Sequence, residues 1–189
     1  MQTQSSVTKE IRSKVRNIRR ELPQEQRLIA EHGIYQQIKK HPKVSSAKHI
    51  AIFLSFDGEL NTKPIIEYFW QQKKSIFIPI IHPFNNDHML FLRYDKQTEL
   101  TRNRFGILQP KLDVRNIIPY KKLDIIFTPL VAFDERNYRI GMGRGYYDRL
   151  LTGYQQTDIY PIGLAFTCQK ISYIPNQPWD VQLPEIINA

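Results

Sequence analysis

A nearly continuous apolar segment in the second half of the chain most constrains the fold. It runs from Leu123 to Phe133 and has the sequence LDIIFTPLVAF. Such a run is typical of a β-strand buried on both faces, because both rows of alternating side chains then meet apolar neighbours. Strands of this kind occur in parallel sheets that carry helices on both sides, so the segment favours an α/β fold.

Shorter segments on either side alternate between strand and helix patterns. Strands are predicted over residues 49–56, 75–81, 89–94 and 159–166, and helices over residues 64–73 and from about Tyr146 onward. We therefore expect an open three-layer α/β/α sandwich around a mostly parallel, mixed sheet with right-handed crossovers. Residues 1–189 form one predicted domain, in which residues 1–48 are a basic helical arm packed on the α/β core.

The predicted arm consists of two helices, over residues 8–22 and 24–40. In the first, an apolar stripe lies beside a basic one. The apolar stripe comprises Ile11, Val15, Ile18 and Leu22, and the basic stripe comprises Lys9, Arg12, Arg16, Arg19 and Arg20. Two interpretations stay open: the basic stripe is a solvated helix face, or the apolar stripe docks on the core while the basic stripe borders a site.

Positive charge is concentrated in this arm. The chain of 189 residues has a net charge of +9, and its first 48 residues hold eleven Lys and Arg against four Glu, a net charge of +7. This excess indicates an anionic partner, which is nucleic acid, an acidic membrane or a polyanionic small substrate. One Cys and the absence of an apolar leader or a spanning segment predict a cytoplasmic protein without a membrane anchor.

The segment FDERNYRIGMGRGYYDR, residues 133–149, carries the strongest indication of chemistry. Alternating glycines ahead of a helix start allow backbone N–H groups to approach an anion closely. Arg139 and Arg144 supply donors suited to phosphate oxygens, and Asp148 stands where a carboxylate can hold phosphate-bound Mg²⁺. The pattern is neither a P-loop nor a dinucleotide fingerprint. It predicts an anion site at the carboxyl edge of the sheet, where ligands bind in open α/β folds.

A second candidate, LSFDGE at residues 54–59, follows the first predicted strand. Asp57-Gly58 is a turn signal, which on its own indicates a strand-ending turn with solvated acids. Alternatively, Glu59 lies at the rim of the same site and accepts hydrogen bonds from the amino groups of a heterocycle. Trp179-Asp180 is uninformative alone, Cys168 is expected to be a small, part-buried residue, and no zinc motif is present.

Several of these segments together resemble the 5-formyltetrahydrofolate cyclo-ligase family, also called 5,10-methenyltetrahydrofolate synthetase. The resemblance rests on TPLVAFDERNYRIGMGRGYYDRLL, IAIFLSFDGELNT and EIRSKVRNIRREL, with weaker support from PIGLAFTCQ and PWDVQLPEII. It implies a three-layer α/β fold, in agreement with the strand and helix pattern. It also implies ATP-dependent cyclisation of 5-formyltetrahydrofolate to 5,10-methenyltetrahydrofolate, with phosphorylation of the formyl oxygen, attack by N10, and release of ADP and phosphate.

The resemblance also implies roles for individual residues. Arg144 is expected to stabilise the transferring phosphoryl group, and Tyr146 to pack near the formyl centre. Asp148 and Asp180 match magnesium positions. The implied ATP contacts are Lys9, Arg12, Arg139, Ile140, Gly141, Met142, Gly143, Arg144, Gly145, Tyr146 and Tyr147. The implied folate contacts are Leu54, Glu59, Met142, Gly143, Arg144, Gly145 and Tyr146.

Three positions depart from the family pattern. Thr8 stands where a basic residue is common, which makes Lys9 its substitute; Asn137 replaces Gly, and Trp179 replaces His. The implied protein is a monomer that uses ATP and Mg²⁺ and binds a folate, with or without a polyglutamate tail, and no nucleic acid or membrane. Two other hypotheses stay open: a nucleic-acid-binding module, and an α/β enzyme that acts on another anionic metabolite such as a sugar phosphate.

Overall fold

A seven-stranded mixed sheet lies at the centre of the computed structural model, which describes residues 4–85 and 87–189. The helices are α1 (Gln4–Glu21), α2 (Gln24–Lys40), α3 (Pro42–Ser46), α4 (Lys63–Gln71) and α5 (Tyr146–Leu151). The strands are β1 (His49–Ala51), β2 (Ser75–Ile81), β3 (Met89–Tyr94), β4 (Leu100–Arg102), β5 (Leu108–Pro110), β6 (Ile117–Ile118), β7 (Ile125–Pro129), β8 (Ala132–Phe133), β9 (Arg139–Ile140), β10 (Tyr160–Ala165) and β11 (Glu185–Asn188).

The main sheet is parallel over most of its width. Its strand order is β11-β10-β7-β1-β2-β3-β6. The five strands from β11 to β2 pair in parallel, and β3 and β6 extend the sheet in antiparallel fashion. Two small antiparallel pairs, β4–β5 and β8–β9, stand outside it. This topology confirms the predicted α/β class with a mostly parallel, mixed sheet.

The two faces of the sheet are covered unequally. On one face, α2, α3 and α4 pack over the strands, where Phe69 of α4 stacks on Phe127 of β7 with ring centroids 5.9 Å apart. On the other face, Leu151 of α5 packs with Phe77, Phe91 and Ile126. Three of the helices therefore cover one face of the sheet, whereas the short helix α5 and loops cover the other face.

Two predicted strands are shorter in the structure. The strand predicted over residues 49–56 ends at Ala51, and the chain then leaves the sheet towards a turn at Asp57, where φ is 54°. The run from Leu123 to Phe133 divides into β7 and β8. It breaks at Leu130 because the Leu130 carbonyl accepts hydrogen bonds from the side chains of Arg19 and Gln169 rather than from a neighbouring strand.

Helix α1 is oriented differently from the prediction. Its fully buried residues are Val15 and Arg19, at 2% and 0% exposure, whereas Ile18 is 39% exposed. The assignment of Ile18 to a docked apolar stripe and of Arg19 to a separate basic stripe was therefore wrong. Arg19 is buried because Asp57 and backbone carbonyls accept its hydrogen bonds, which offsets the cost of removing a guanidinium from water.

The described part of the chain contains no helix that is both long enough and apolar enough to cross a bilayer.

Gly163, in β10 between the edge strand β11 and β7, provides a test of this packing. A Cβ there would lie 2.8 Å from Ile186 Cγ1 and 2.9 Å from Leu130 Cδ2. We expect Gly163→Ala to lower the free energy of unfolding by about 1–3 kcal/mol, because a packed core resists added volume. Denaturant unfolding measures this change. Gly141→Ala, whose Cβ would meet no atom within 4 Å, is the matched control and should show no such loss.

Candidate functional site

The candidate site lies at the carboxyl edge of the parallel strands, as expected for an open α/β sheet. Three segments meet there: residues 52–59 after β1, Leu130 after β7, and the loop between β9 and α5. We call this last segment, residues 141–145, the glycine loop. A cavity opens on each side of it.

The first cavity, here the apolar cavity, has a volume of about 450 Å³. Hydrocarbon and aromatic side chains make most of its wall, including Phe53, Leu54, Ile80, Phe105 and Leu130. Polar groups are few, as in pockets that bind a flat organic ring.

The second cavity, here the basic cavity, has a volume of about 660 Å³ and a different lining. Lys9 and Arg12 from α1 line it, together with Asp148, Trp179 and Asp180. The two N-terminal cations proposed from the sequence therefore reach the same cavity as the glycine loop. Cationic side chains beside exposed backbone amides favour an anionic ligand.

The glycine loop separates the two cavities and contributes to both walls. Gly141, Arg144 and Gly145 line both cavities. Gly143 and Gly145 have φ values of 94° and 66°, in the left-handed region that glycine adopts without steric cost. A Cβ at Gly143 would also lie 3.3 Å from Arg12 Cζ. The alternating glycines thus let the loop curve between the cavities while α1 approaches it closely.

Arg12 connects α1 to this loop. Its Nε donates to the Gly141 carbonyl over 2.8 Å. Burial, reinforced by the charge of Arg16, lowers the pKa of Arg12 from its usual value. The side chain therefore has a structural contact with the loop and also faces the basic cavity.

The two arginines of the predicted anion site differ in their surroundings. Arg139 is buried, and it donates to the Val181 carbonyl over 2.6 Å and to Asp148 Oδ1 over 3.0 Å. Burial lowers its pKa, which the charge of Asp148 partly offsets. Arg144 is exposed, with its guanidinium 5.4 Å from the centroid of the Phe105 ring. Arg139 thus holds the base of the loop, and Arg144 presents its charge at the junction of the cavities.

The remaining predicted ATP contacts divide between the cavities. Met142, Tyr146 and Tyr147 line the apolar cavity, whereas Ile140 and Gly143 line the basic one. The Ile140 side chain packs in an apolar cluster with Val15 and Ile174, which leaves ligand contacts to its backbone. Burial strongly raises the pKa of Tyr147, and the nearby carboxylate of Glu59 adds to the effect.

The predicted folate contacts converge on the apolar cavity with one exception. Leu54, Glu59, Met142, Arg144, Gly145 and Tyr146 all line it, whereas Gly143 lines only the basic cavity. The Phe56 backbone N–H donates to Glu59 Oε2 over 3.1 Å. Burial raises the pKa of Glu59 to about 7, although the charge of Arg19 opposes the shift.

The predicted magnesium residues, Asp148 and Asp180, both line the basic cavity. Asp148 Oδ1 accepts hydrogen bonds from Arg139 and from the Val181 backbone, and Asp180 Oδ2 accepts one from the Gln177 backbone over 2.7 Å. Within residues 4–85 and 87–189, no three His, Cys, Asp or Glu residues form a metal-binding group. Two carboxylates nevertheless fit Mg²⁺, which commonly takes one or two protein carboxylates and completes its shell with phosphate and water.

Sequence reasoning missed the hairpin β4–β5, which supplies part of the apolar cavity. Asn103, Phe105 and Gln109 of this hairpin line the cavity. Asn103 Oδ1 accepts from the backbone N–H groups of Phe105 and Ile107, which closes a tight turn ahead of Gly106. An Asn followed three residues later by Gly, between apolar residues, is the signal that would have indicated this hairpin.

Comparison with known proteins extends the likeness over the whole site. The sequence model of the 5-formyltetrahydrofolate cyclo-ligase family matches residues 4–189. The chain belongs to the 5-formyltetrahydrofolate cyclo-ligase family. Membership of the cyclo-ligase family confirms the resemblance noted from the sequence. The matched residues include the glycine loop and the residues that line both cavities.

Individual relatives match over nearly their full lengths. The chain is 44% identical to 5-formyltetrahydrofolate cyclo-ligase of Haemophilus influenzae over 94% of this chain and 95% of the relative. It is 43% identical to the Escherichia coli K12 protein of the same name, over 92% and 95% of the two chains. Among solved structures, Aquifex aeolicus 5,10-methenyltetrahydrofolate synthetase matches with a TM-score of 0.81 and 26% identity, over 96% of this chain and 89% of that one.

The raised pKa of Glu59 predicts that the free energy of unfolding of this cyclo-ligase family member falls as the pH rises. The folded protein binds the Glu59 proton more tightly than the unfolded chain does, so stability present below pH 4.5 is lost as pH rises through about 7. Each pKa unit is worth about 1.4 kcal/mol, so we expect Glu59→Gln to stabilise the fold by about 3–4 kcal/mol at pH 8 and by little at pH 4.5.

Thermal unfolding at the two pH values measures this difference. Glu67→Gln, at an exposed position on α4, is the control and should change neither value appreciably. An equal shift of Tm by Glu59→Gln at both pH values would contradict the prediction.

Proposed function

We propose that the chain catalyses the ATP-dependent cyclisation of 5-formyltetrahydrofolate to 5,10-methenyltetrahydrofolate, with release of ADP and phosphate. Family membership supports this activity. The observation that carries the proposal is the position of the glycine loop, which lines an apolar cavity on one side and a basic cavity on the other. Such an arrangement suits a reaction in which a phosphate donor meets a largely apolar acceptor.

The apolar cavity is the proposed folate side. A pterin ring is flat and largely apolar on its faces, and Leu54, Met142 and Tyr146 line a wall of matching character. Two acidic residues line this cavity: Asp148 already accepts a hydrogen bond from Arg139, and Glu59 would accept hydrogen bonds from ring N–H groups. A carboxylate bonded to such donors is favoured in its ionised form, so folate binding would lower the pKa of Glu59 again.

The basic cavity is the proposed nucleotide side. Lys9, Arg12 and Arg144 would face the triphosphate, and the glycine loop offers backbone N–H groups without side chains in the way. This division leaves each reactant in its own cavity, with the γ-phosphate brought to the loop. Holding two reactants at one junction replaces a random encounter by a fixed approach, which is a large part of catalysis of phosphoryl transfer.

The proposed reaction has two steps, and the chain's own residues serve both. The formyl oxygen attacks the γ-phosphorus, the bond to the β-phosphate oxygen breaks, and ADP leaves; N10 then attacks the activated carbon, the C–O bond breaks, phosphate departs and the N10 proton is released. Arg144 would stabilise charge on the transferring group, and Tyr146 would pack against the formyl centre. Phosphorylation is needed because an amide-like oxygen is a poor leaving group.

Asp148 and Asp180 are the residues that would hold Mg²⁺, since both carboxylates border the basic cavity. When bound, the ion would neutralise negative charge on the phosphates that the cations Lys9, Arg12 and Arg144 leave uncompensated. Arg139, by donating a hydrogen bond to Asp148 Oδ1, would keep that carboxylate in place.

An absorbance assay tests the proposed activity. Purified protein with 5-formyltetrahydrofolate, ATP and Mg²⁺ should form the chromophoric methenyl product, and omission of ATP or chelation of the metal should stop its formation. No ATP-dependent rise in absorbance would disprove the proposal. A panel of sugar phosphates and other anionic metabolites, assayed for ADP release, separates the cyclo-ligase from an enzyme of another substrate class.

Arg144→Ala should lower kcat by about 10²–10³, because it removes an electrostatic donor from the transition state of phosphoryl transfer. The fold should be retained, because Arg144 is exposed and its guanidinium lies over the ring of Phe105 in the β4–β5 hairpin rather than in the core. Steady-state kinetics and a Tm measure the two effects. Arg115→Ala, at a side chain 85% exposed, is the control, and near-normal turnover of Arg144→Ala would remove Arg144 from the mechanism.

A further inference from the structure

Three arginines of α1 surround one carboxylate beside the apolar cavity. Arg16 Nε donates to Asp57 Oδ2 over 2.7 Å, Arg19 Nη2 reaches the same oxygen over 3.2 Å, and Arg20 donates to Oδ1. We call Asp57 with these three arginines the arginine clamp. The Asp57 side chain is only 7% exposed, so the turn signal in the sequence does not mark a solvated acid here.

The clamp is separate from the groups that line the cavities. Asp57 lines neither cavity, although its neighbours Phe56 and Glu59 both line the apolar one. Burial alone would raise the pKa of Asp57, but the hydrogen bonds from Arg16 and Arg20 hold it below its usual value. Asp57 is thus an ionised side chain next to the site that binds the arginines of α1 and has no role in the proposed chemistry.

Arg19 extends the clamp to a second wall of the apolar cavity. It is fully buried, and it donates to the Asp57 carbonyl over 2.7 Å and to the Leu130 carbonyl over 3.2 Å. Leu130 lines the apolar cavity, as Glu59 does. One buried side chain therefore sets the distance between two segments of that cavity.

A fourth arginine supports the same turn from α2. Arg27 Nη1 donates to the Gly58 carbonyl over 3.0 Å, and Arg27 Nη2 donates to the Arg19 carbonyl over 2.8 Å. The turn that precedes Glu59 is thereby held by two helices through side-chain contacts.

The backbone of this turn depends on such support. Asp57 and Gly58 have φ values of 54° and 75°, so two successive residues are left-handed, and the Glu59 N–H closes the turn on the Phe56 carbonyl over 3.0 Å. A left-handed conformation costs free energy for a residue with a side chain. Loss of the clamp would let the turn relax and move Glu59.

We propose that Asp57 is a positioning residue for folate binding, which fixes Glu59 in the apolar cavity through the arginine clamp. This inference rests on the proposed function, in which Glu59 binds the folate ring. It assigns the arginines in the C-terminal half of α1 to the shaping of the folate side, whereas Lys9 and Arg12, nearer the start of the same helix, face the nucleotide side.

The test is a double-mutant cycle with Asp57→Asn and Glu59→Gln. Asparagine tolerates the left-handed conformation and keeps the size of the side chain, so the change removes the charge with little backbone strain. Calorimetry without ATP gives the dissociation constant of 5-formyltetrahydrofolate for wild type, both single variants and the double variant. Loss of a charge-assisted contact predicts that Asp57→Asn alone weakens folate binding about tenfold, whereas KM for ATP changes by less than about threefold.

The double variant decides between positioning and general destabilisation. If Asp57 acts through Glu59, Asp57→Asn weakens binding by less than about twofold in the Glu59→Gln background, because coupled residues are non-additive. The same tenfold loss in both backgrounds, or an equal loss for ATP and folate, would overturn the proposal. Asp113→Asn is the matched control: it removes a carboxylate bonded to Arg115 outside both cavities, and folate binding should stay at the wild-type value.

If Asp57→Asn does not fold, a milder variant replaces it in the test. Arg20→Gln removes one exposed member of the clamp, with a side chain 47% exposed, and the same cycle with Glu59→Gln applies. An additive result with Arg20→Gln would also overturn the proposal. Wild-type protein that binds 5-formyltetrahydrofolate but does not turn it over would instead disprove the proposed function and leave the cycle measurable.

Discussion

The buried guanidinium of Arg19 is the contact on which the arrangement of the site depends. A charge removed from water is tolerated only when hydrogen bonds and an opposite charge replace the lost hydration. Asp57 and the Leu130 carbonyl bond the two terminal nitrogens of Arg19, whereas its Nε is buried without a hydrogen-bond partner. Each partner belongs to a different segment at the carboxyl edge of the sheet. The need to satisfy one side chain therefore brings together a helix, a turn and the end of a central strand.

The two cavities follow from this edge and from the glycine loop that divides it. Arg12 of α1 bonds the glycine loop at Gly141. Arg16 and Arg19, four and seven residues further along the same helix, bond Asp57 beside the apolar cavity and Leu130 in its wall. A single helix thus contacts both sides of the junction, and residues spaced at three and four positions share one helix face. The positive charge of the N-terminal region serves two purposes: part of it faces the basic cavity, and part is neutralised internally by Asp57.

Local patterns in the sequence predicted the mostly parallel sheet and the close backbone approach at the glycine loop, because burial and glycine geometry act over a few residues. Resemblance to the family, rather than pattern, indicated Leu54 and Asp180 and favoured the binding interpretation of Glu59, which the pattern had left open; the structure brings all three residues to the cavities. The burial of Arg19 was not predictable, because its partners Asp57 and Leu130 lie 38 and 111 positions away in the chain. The residues around Arg19 in the sequence do not distinguish it from the more exposed arginines of the same helix. The hairpin β4–β5 was missed because its strands have three residues each, too few for a period to show.

The contacts of α1 also constrain the order in which the site can form. They join residues 38, 111 and 129 positions apart in the chain, so each requires closure of a long loop. During synthesis from the N-terminus, α1 emerges first, yet Gly141, the last of these three hydrogen-bond partners, is made when about three quarters of the chain exists. During synthesis the contact between Arg12 and the glycine loop therefore cannot form until β1 to β9 have all been made, whereas β10 and β11 follow it in the chain.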